Sequence, residues 1–200
     1  MKEPFLEFIR SKLGTDFVLI ACGLPGTWKT ETTAEIARVT GYPQLRTDLF
    51  RLEVLKNEDV FDEKVASNMT KRTSVYDAMF RAADETLDKG KGVILDATFV
   101  SQSLRKQAAA LAVKHNLKFI ILQTDCPQEV SIKRILARTR DKYESNALTE
   151  QAYLNNKKNF EAVDLADLKN AYPALNIIHM IVDTTQEPPE GWYITAMKQR

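Results

Sequence analysis

The residues best placed to do chemistry are Lys29 and Thr30, which close the segment Gly23-Leu24-Pro25-Gly26-Thr27-Trp28-Lys29-Thr30. A phosphate-cradling loop has the pattern G-x-x-x-x-G-K-[ST], and Gly23, Lys29 and Thr30 occupy its expected positions. In that arrangement backbone N–H groups point at phosphate oxygens. The lysine reaches the β- and γ-phosphates, and the hydroxyl holds Mg²⁺. Trp28 stands where the pattern has its final glycine. The letters alone are a loose match, since Gly23 with Lys-Thr arises by composition in roughly a tenth of chains this long. If position 28 requires a positive φ, a bulky L-residue there costs about 1–2 kcal/mol. Three readings of Trp28 stay open: the loop shifts and still binds, the indole packs beside the nucleotide, or phosphate binding is impaired.

Other charged residues fall at the ends of expected elements. Asp48 follows a short strand near Gln44–Thr47, and Arg51 lies one turn further on. Asp96 ends the compact run Val93-Ile94-Leu95, with Thr98 and Arg105 beyond it. Each aspartate could also be a plain cap or loop residue. Arg134 and Arg138 lie four apart and share one face of a helix, and Arg140 follows as a polar stretch begins. His115 and His179 match no metal-ligand spacing, and no nucleophile-elbow pattern G-x-S-x-G occurs.

The elements that must position these groups alternate. Phe17–Cys22 is a continuous apolar run, as expected of a parallel strand covered on both faces. Lys29 to Val39 reads as a helix closed by Gly41 and Pro43. This strand–turn–helix setting lends the loop its weight, because it brings the positive helix end to the phosphates. Further helices are expected over residues 3–13, Met69–Lys89, Ser101–His115, Pro127 to Arg138 and Thr149–Phe160. Further strands are expected at Lys118–Leu122 and Ile177–Val182. The tail beyond Pro188-Pro189 receives no assignment. Five strands alternating with helices predict a three-layer α/β/α fold with a five-stranded parallel sheet and right-handed crossovers, in one domain spanning 1–200.

Composition narrows the function classes. The 200 residues are 44% apolar and 28% charged, with 28 basic and 27 acidic residues and a net charge of +1. That balance offers no large basic field for a phosphate backbone, so it weakly disfavours a nucleic-acid partner. No apolar run reaches membrane-span length and no signal-peptide pattern opens the chain. Cys22 and Cys126 read as free thiols of a cytoplasmic protein. Oligomeric state leaves no trace in the sequence.

With these segments together, the chain resembles the P-loop kinase group that contains phage-type polynucleotide kinase, zeta toxins and gluconate kinase-like enzymes. The resemblance runs from about Phe17 to Asp183. It rests on Gly23-Leu24-Pro25-Gly26 with Lys29-Thr30, Asp48 with Arg51, Val93-Ile94-Leu95-Asp96-Ala97-Thr98, Arg105, and the arginine-rich helix after Cys126-Pro127. It implies an adenylate kinase-like architecture, ATP with Mg²⁺, and transfer of the γ-phosphoryl group to a hydroxyl. Residues 23–30 would hold the nucleotide, with Arg134 and Arg138 stabilising charge from beside a lid at about 139–148. Asp48 would take the proton of the attacking hydroxyl. Arg51, Asp96 and Arg105 would face the acceptor, Thr30 and Asp96 would hold Mg²⁺, and the helical region 49–90 would set specificity. The leading expectation is a kinase acting on a hydroxyl-bearing small molecule, a nucleic-acid end being less favoured by charge. Its rival, motivated by Trp28, is a nucleotide-binding module or slow ATPase with a regulatory or assembly role.

Overall fold

The computed structural model describes residues 2–62, 64–65, 68–90, 92–139 and 147–200. In chain order, β1 (Glu3–Pro4) leads into α1 (Phe5–Ser11), and β2 (Phe17–Cys22) into α2 (Lys29–Thr40). Next come β3 (Gln44–Arg46), α3 (Thr47–Val54), α4 (Met69–Leu87), β4 (Gly92–Asp96) and α5 (Gln102–Lys114). The second half holds β5 (Lys118–Asp125), α6 (Gln128–Leu136), α7 (Glu150–Asn159), α8 (Leu165–Ala171), β6 (Ile177–Asp183) and β7 (Tyr193–Gln199).

The strands form one sheet of order β1-β7-β6-β5-β2-β4-β3. The block β6-β5-β2-β4-β3 is parallel throughout. β7 then pairs antiparallel with β6, and β1 with β7. The expected five-strand sheet is therefore the parallel part of a seven-stranded one. The two extra strands lack the sequence signal of the others. β1 is two residues long, and most of β7 lies open to solvent at the sheet margin, so no continuous apolar run marks it.

All six residues of β2 are buried because helices cover both faces of the sheet. Strand alternation divides its side chains between two cores. Val18, Ile20 and Cys22 join Val93, Leu95, Phe119 and Ile121 beneath α4, α5 and α8. Phe17 and Leu19 join Ile94, Ile120 and Leu122 beneath α1 and α2. The result is a three-layer α/β/α arrangement.

Several boundaries differ from expectation for local reasons. Pro4 is taken into strand pairing, so α1 begins at Phe5. The helix after Pro127 stops at Leu136, leaving Arg138 beyond its end. α8 was not expected; Asp164 caps it by accepting from the Asp167 amide, and Leu165 and Leu168 bury against the sheet. Most of the expected lid, including Arg140, falls on 140–146, outside the described residues. Cys22 is a buried free thiol and Cys126 a half-buried one. Among the described residues no helix is long and apolar enough to cross a membrane.

Candidate active site

β2 sits between β4 and β5; the chain runs from β2 outward to β3, whereas from the adjacent β4 it crosses back over β2 to β5, so connections from neighbouring strands run in opposite directions. Such a switch point opens a crevice beyond the carboxyl ends of the strands. Residues 23–28 occupy that crevice. Gly23 (φ 143°) and Gly26 (φ 82°) take conformations that L side chains rarely adopt. There is also no space for a side chain at either. A Cβ on Gly23 would lie 2.6 Å from the Thr124 carbonyl oxygen, and one on Gly26 would lie 2.5 Å from that of Ser131.

Trp28 adopts the left-handed geometry that a glycine would, at φ 57° and ψ 36°, and α2 starts directly after it. Its ring packs against the core beneath α1 and α2. It also lies 4.8 Å from the guanidinium carbon of Arg134. The loop thus keeps its shape, with the indole folded onto protein. The indole Nε1 is buried and has no hydrogen-bond partner among the described residues.

Three further ties hold the loop from beneath. Thr27 Oγ1 donates to the Leu24 carbonyl (2.8 Å) and lies 2.7 Å from Thr124 Oγ1. Thr184 Oγ1 donates to the Thr27 carbonyl at 3.0 Å. Arg134 donates from Nη1 to the Gly26 carbonyl (3.3 Å), and from Nη2 to those of Thr184 (2.8 Å) and Thr185 (3.0 Å). Arg134 therefore does not share a task with Arg138. It braces the back of the loop, whereas Arg138 lines the cleft and donates to the Ala147 carbonyl at 3.1 Å.

The cleft in front of the loop has a volume of about 740 Å³. It brings together Pro25, Gly26, Trp28, Lys29, Thr30, Asp48, Arg51, Asp96 and Arg138, while Gly23, Leu24 and Thr27 shape the loop behind them. Lys29 Nζ donates to the Leu24 carbonyl at 2.8 Å. Burial lowers its pKa and the nearby Arg138 adds to this, against the pull of Asp96, Asp48 and Glu31. A negative group in the cleft would offer it a better partner than a neutral carbonyl.

Thr30 Oγ1 donates to Asp96 Oδ2 at 2.6 Å. Asp96 is 5% exposed. Burial pushes its pKa up to about 6, with Asp48 adding to the rise and Thr30, Lys29 and Arg46 opposing it. A hydroxyl and a buried carboxylate side by side form a hard-oxygen pair, which suits Mg²⁺. Arg46, which the sequence did not single out, stands 3.7 Å from Asp96 Oδ2.

Asp48 does not cap α3; Arg46 takes that position, and Asp48 lies in the first turn. Its carboxylate accepts from Arg51 Nη1 and stays 25% exposed toward the cleft. Arg105 is placed elsewhere. It is fully buried, and its guanidinium donates to the carbonyls of Phe99, Val100, Glu161 and Ala162. With its donors turned inward it cannot meet a substrate, so the expectation that it faces the acceptor is corrected. The available signal was its spacing: Arg105 shares a helical stripe with Ala108, Ala109 and Ala112, all fully buried.

Compared with known proteins, residues 18–163 match the family model described as AAA domain. The chain belongs to that family. The P-loop kinase resemblance read from the sequence thus stands at the level of family and fold. No curated protein matches the chain. Among solved structures it is similar to a sugar kinase from Janibacter sp. HTCC2649, with TM-score 0.61 and 21% identity over 88% of this chain and 89% of that one. It is also similar to a gluconokinase from Sinorhizobium meliloti 1021, with TM-score 0.60 and 16% identity over 88% and 86%. An AvrRxo1-ORF1:-ORF2 structure with ATP shares TM-score 0.55 and 16% identity over 97% of this chain and 61% of that one. At such identities the likeness is one of fold, an α/β architecture shared with these kinases.

Proposed function

We propose that this AAA-domain protein moves the γ-phosphoryl group of MgATP to a hydroxyl of a small molecule. The observation that carries the reading is convergence: Lys29, Thr30, Asp48, Asp96 and Arg138 line one cleft, although they come from four separate stretches of the chain. The loop amides and Lys29 bind the nucleotide phosphates, and Thr30 with Asp96 would hold Mg²⁺, which supplies charge neutralisation on the phosphoryl oxygens. Asp48 accepts the proton of the acceptor hydroxyl as that oxygen bonds to γ-phosphorus and the bond to the leaving oxygen of ADP breaks. Arg51 orients Asp48, and Arg138 faces the equatorial oxygens where charge is spread.

The cleft volume of about 740 Å³ is in the range of small-molecule sites, and the net charge of +1 agrees with that preference over a nucleic-acid end. The binding-module alternative draws on Trp28, and the left-handed geometry of Trp28 weighs against a distorted cradle. Label transfer from γ-labelled ATP to a panel of alcohols, sugars and nucleosides tests the proposal. Asp48→Asn is expected to lower transfer by about 10²–10⁴-fold with ATP affinity retained. Unchanged transfer in that variant would remove Asp48 from the chemistry, and ATP binding without any acceptor-dependent turnover would favour the binding module.

A further inference from the structure

Among the described residues, five cations line the cleft: Lys29, Arg46, Arg51, Arg72 and Arg138. The chain itself engages four of them. Lys29 and Arg138 donate to backbone carbonyls. Arg46 faces Asp96, and Arg51 is bonded to Asp48. Arg72 differs. It sits in the first turn of α4, half-buried, and its guanidinium meets neither a carboxylate nor a hydrogen-bond acceptor among the described residues.

Its surroundings are built rather than incidental. Tyr76, one turn along α4, is buried beneath the cleft, and its hydroxyl accepts from the Phe99 amide at 3.2 Å. Arg72 and Arg51 both act on that hydroxyl, lowering its pKa against the larger effect of burial. Arg72, Arg51 and Tyr76 line the same cleft, and Arg51 is bonded there to the proposed proton acceptor Asp48. A half-buried cation in a concave site gains most from an anion that shares its desolvation.

Another part of the cleft lining is uncharged. Gln151, Asn155 and Asn159 recur every fourth residue on α7 and all line the cleft, so one face of that helix presents a stripe of amides. Gln151 Nε2 donates to Asn155 Oδ1 at 2.9 Å, which leaves the Asn155 amide nitrogen for a ligand. Amides both donate and accept, as recognition of several hydroxyls requires.

We propose that Arg72 anchors an oxyanion on the phosphoryl acceptor while the Gln151–Asn155–Asn159 stripe reads its hydroxyls, so the acceptor is a small polyol carrying a carboxylate or a phosphate. This rests on the kinase reading and adds the substrate class to it. The test loads the protein with Mg²⁺ and a non-hydrolysable ATP analogue, which occupies the phosphate loop. A hexonate, a hexose 6-phosphate and the neutral hexitol are then titrated calorimetrically. At least one anionic member is expected to bind tenfold or more tighter than the hexitol, and the two anionic arms tell carboxylate from phosphate. Arg72→Gln should remove that preference, a loss of about tenfold to a hundredfold, and Arg72→Lys should restore part of it. The analogue's own affinity should not change. Equal binding of charged and neutral polyols, no binding of any of the three, or a preference that survives Arg72→Gln would overturn the assignment. Arg72-dependent anion binding without phosphoryl transfer to the bound polyol would instead count against the kinase reading alone.

Discussion

The Trp28–Arg134 pair carries a quantitative consequence. A tryptophan held at φ 57° costs about 1–2 kcal/mol relative to glycine, because Cβ crowds the following carbonyl. The guanidinium of Arg134, 4.8 Å from the ring centre, returns about 0.5–2 kcal/mol depending on how dry the contact is. The same guanidinium fixes the Gly26, Thr184 and Thr185 carbonyls. Removing it withdraws the compensation and leaves Trp28 strained. A strain of about 1–2 kcal/mol lowers the population of the binding-competent loop by roughly 5- to 30-fold, and apparent nucleotide affinity falls in proportion.

Glycine at position 28 carries no such strain. Arg134→Ala should therefore cost much less affinity in the Trp28→Gly background than in the native chain. The coupling in a double-mutant cycle should reach about 1–2 kcal/mol. Trp28→Gly alone should change affinity by less than about threefold, since it relieves strain but loses the ring's packing. Calorimetric titration of the four proteins with MgATP measures all three values, and denaturant midpoints report whether each variant remains folded. Additive effects would refute the compensation. A loss of more than tenfold in Trp28→Gly alone would show instead that the indole touches the nucleotide.

Two further outcomes follow from buried charges. Arg105→Met should destabilise the protein by about 3–5 kcal/mol, since it leaves carbonyls around Phe99 and Glu161 without donors; urea denaturation measures this, and nucleotide affinity of the folded variant should stay within about threefold of native. Mg²⁺ affinity should be flat above the Asp96 pKa of about 6 and decline roughly tenfold per pH unit below it, because the proton then competes for the carboxylate; Mg²⁺ titration of the nucleotide-free protein between pH 5 and about 8 checks this, and an unchanged profile would remove Asp96 from the metal site.

The fold was legible where burial forces a composition. The continuous apolar stretch of β2 and the glycines of the following turn could be read directly, because a strand covered on both faces tolerates little else. β7 was not legible, as it sits next to the sheet's edge beside the two-residue β1 and places most side chains in water. The arginines show a second limit. Arg51, Arg105, Arg134 and Arg138 look alike as letters. One meets a carboxylate, one is sealed among carbonyls, one braces a loop and one faces the cleft. Local periodicity places a side chain on a helix face but does not say what lies across from it. Only Arg105 carried a clue, in the alanines that share its stripe.

In the proposed mechanism, burial divides the tasks of the two aspartates. Asp96 lies at the end of a central strand, 5% exposed, with a hydroxyl against one oxygen and a guanidinium 3.7 Å away. A carboxylate so placed is short of counter-charge, and a divalent cation beside Thr30 would relieve that deficit. Oδ2 of Asp96 is already taken by the Thr30 hydroxyl, which leaves the group poorly placed to receive a proton from an acceptor. Asp48 lies on a helix at the sheet's edge, 25% exposed, with one oxygen taken by Arg51 and the other without a hydrogen-bond partner among the described residues. A group that must receive a proton and later release it to solvent needs that accessibility. Exchanging the roles would put the metal ligand in water and the base in the core. Asp96 at the end of β4 and Asp48 just past the neighbouring β3 line the same cleft one strand apart, as the proposed division between metal ligand and base requires.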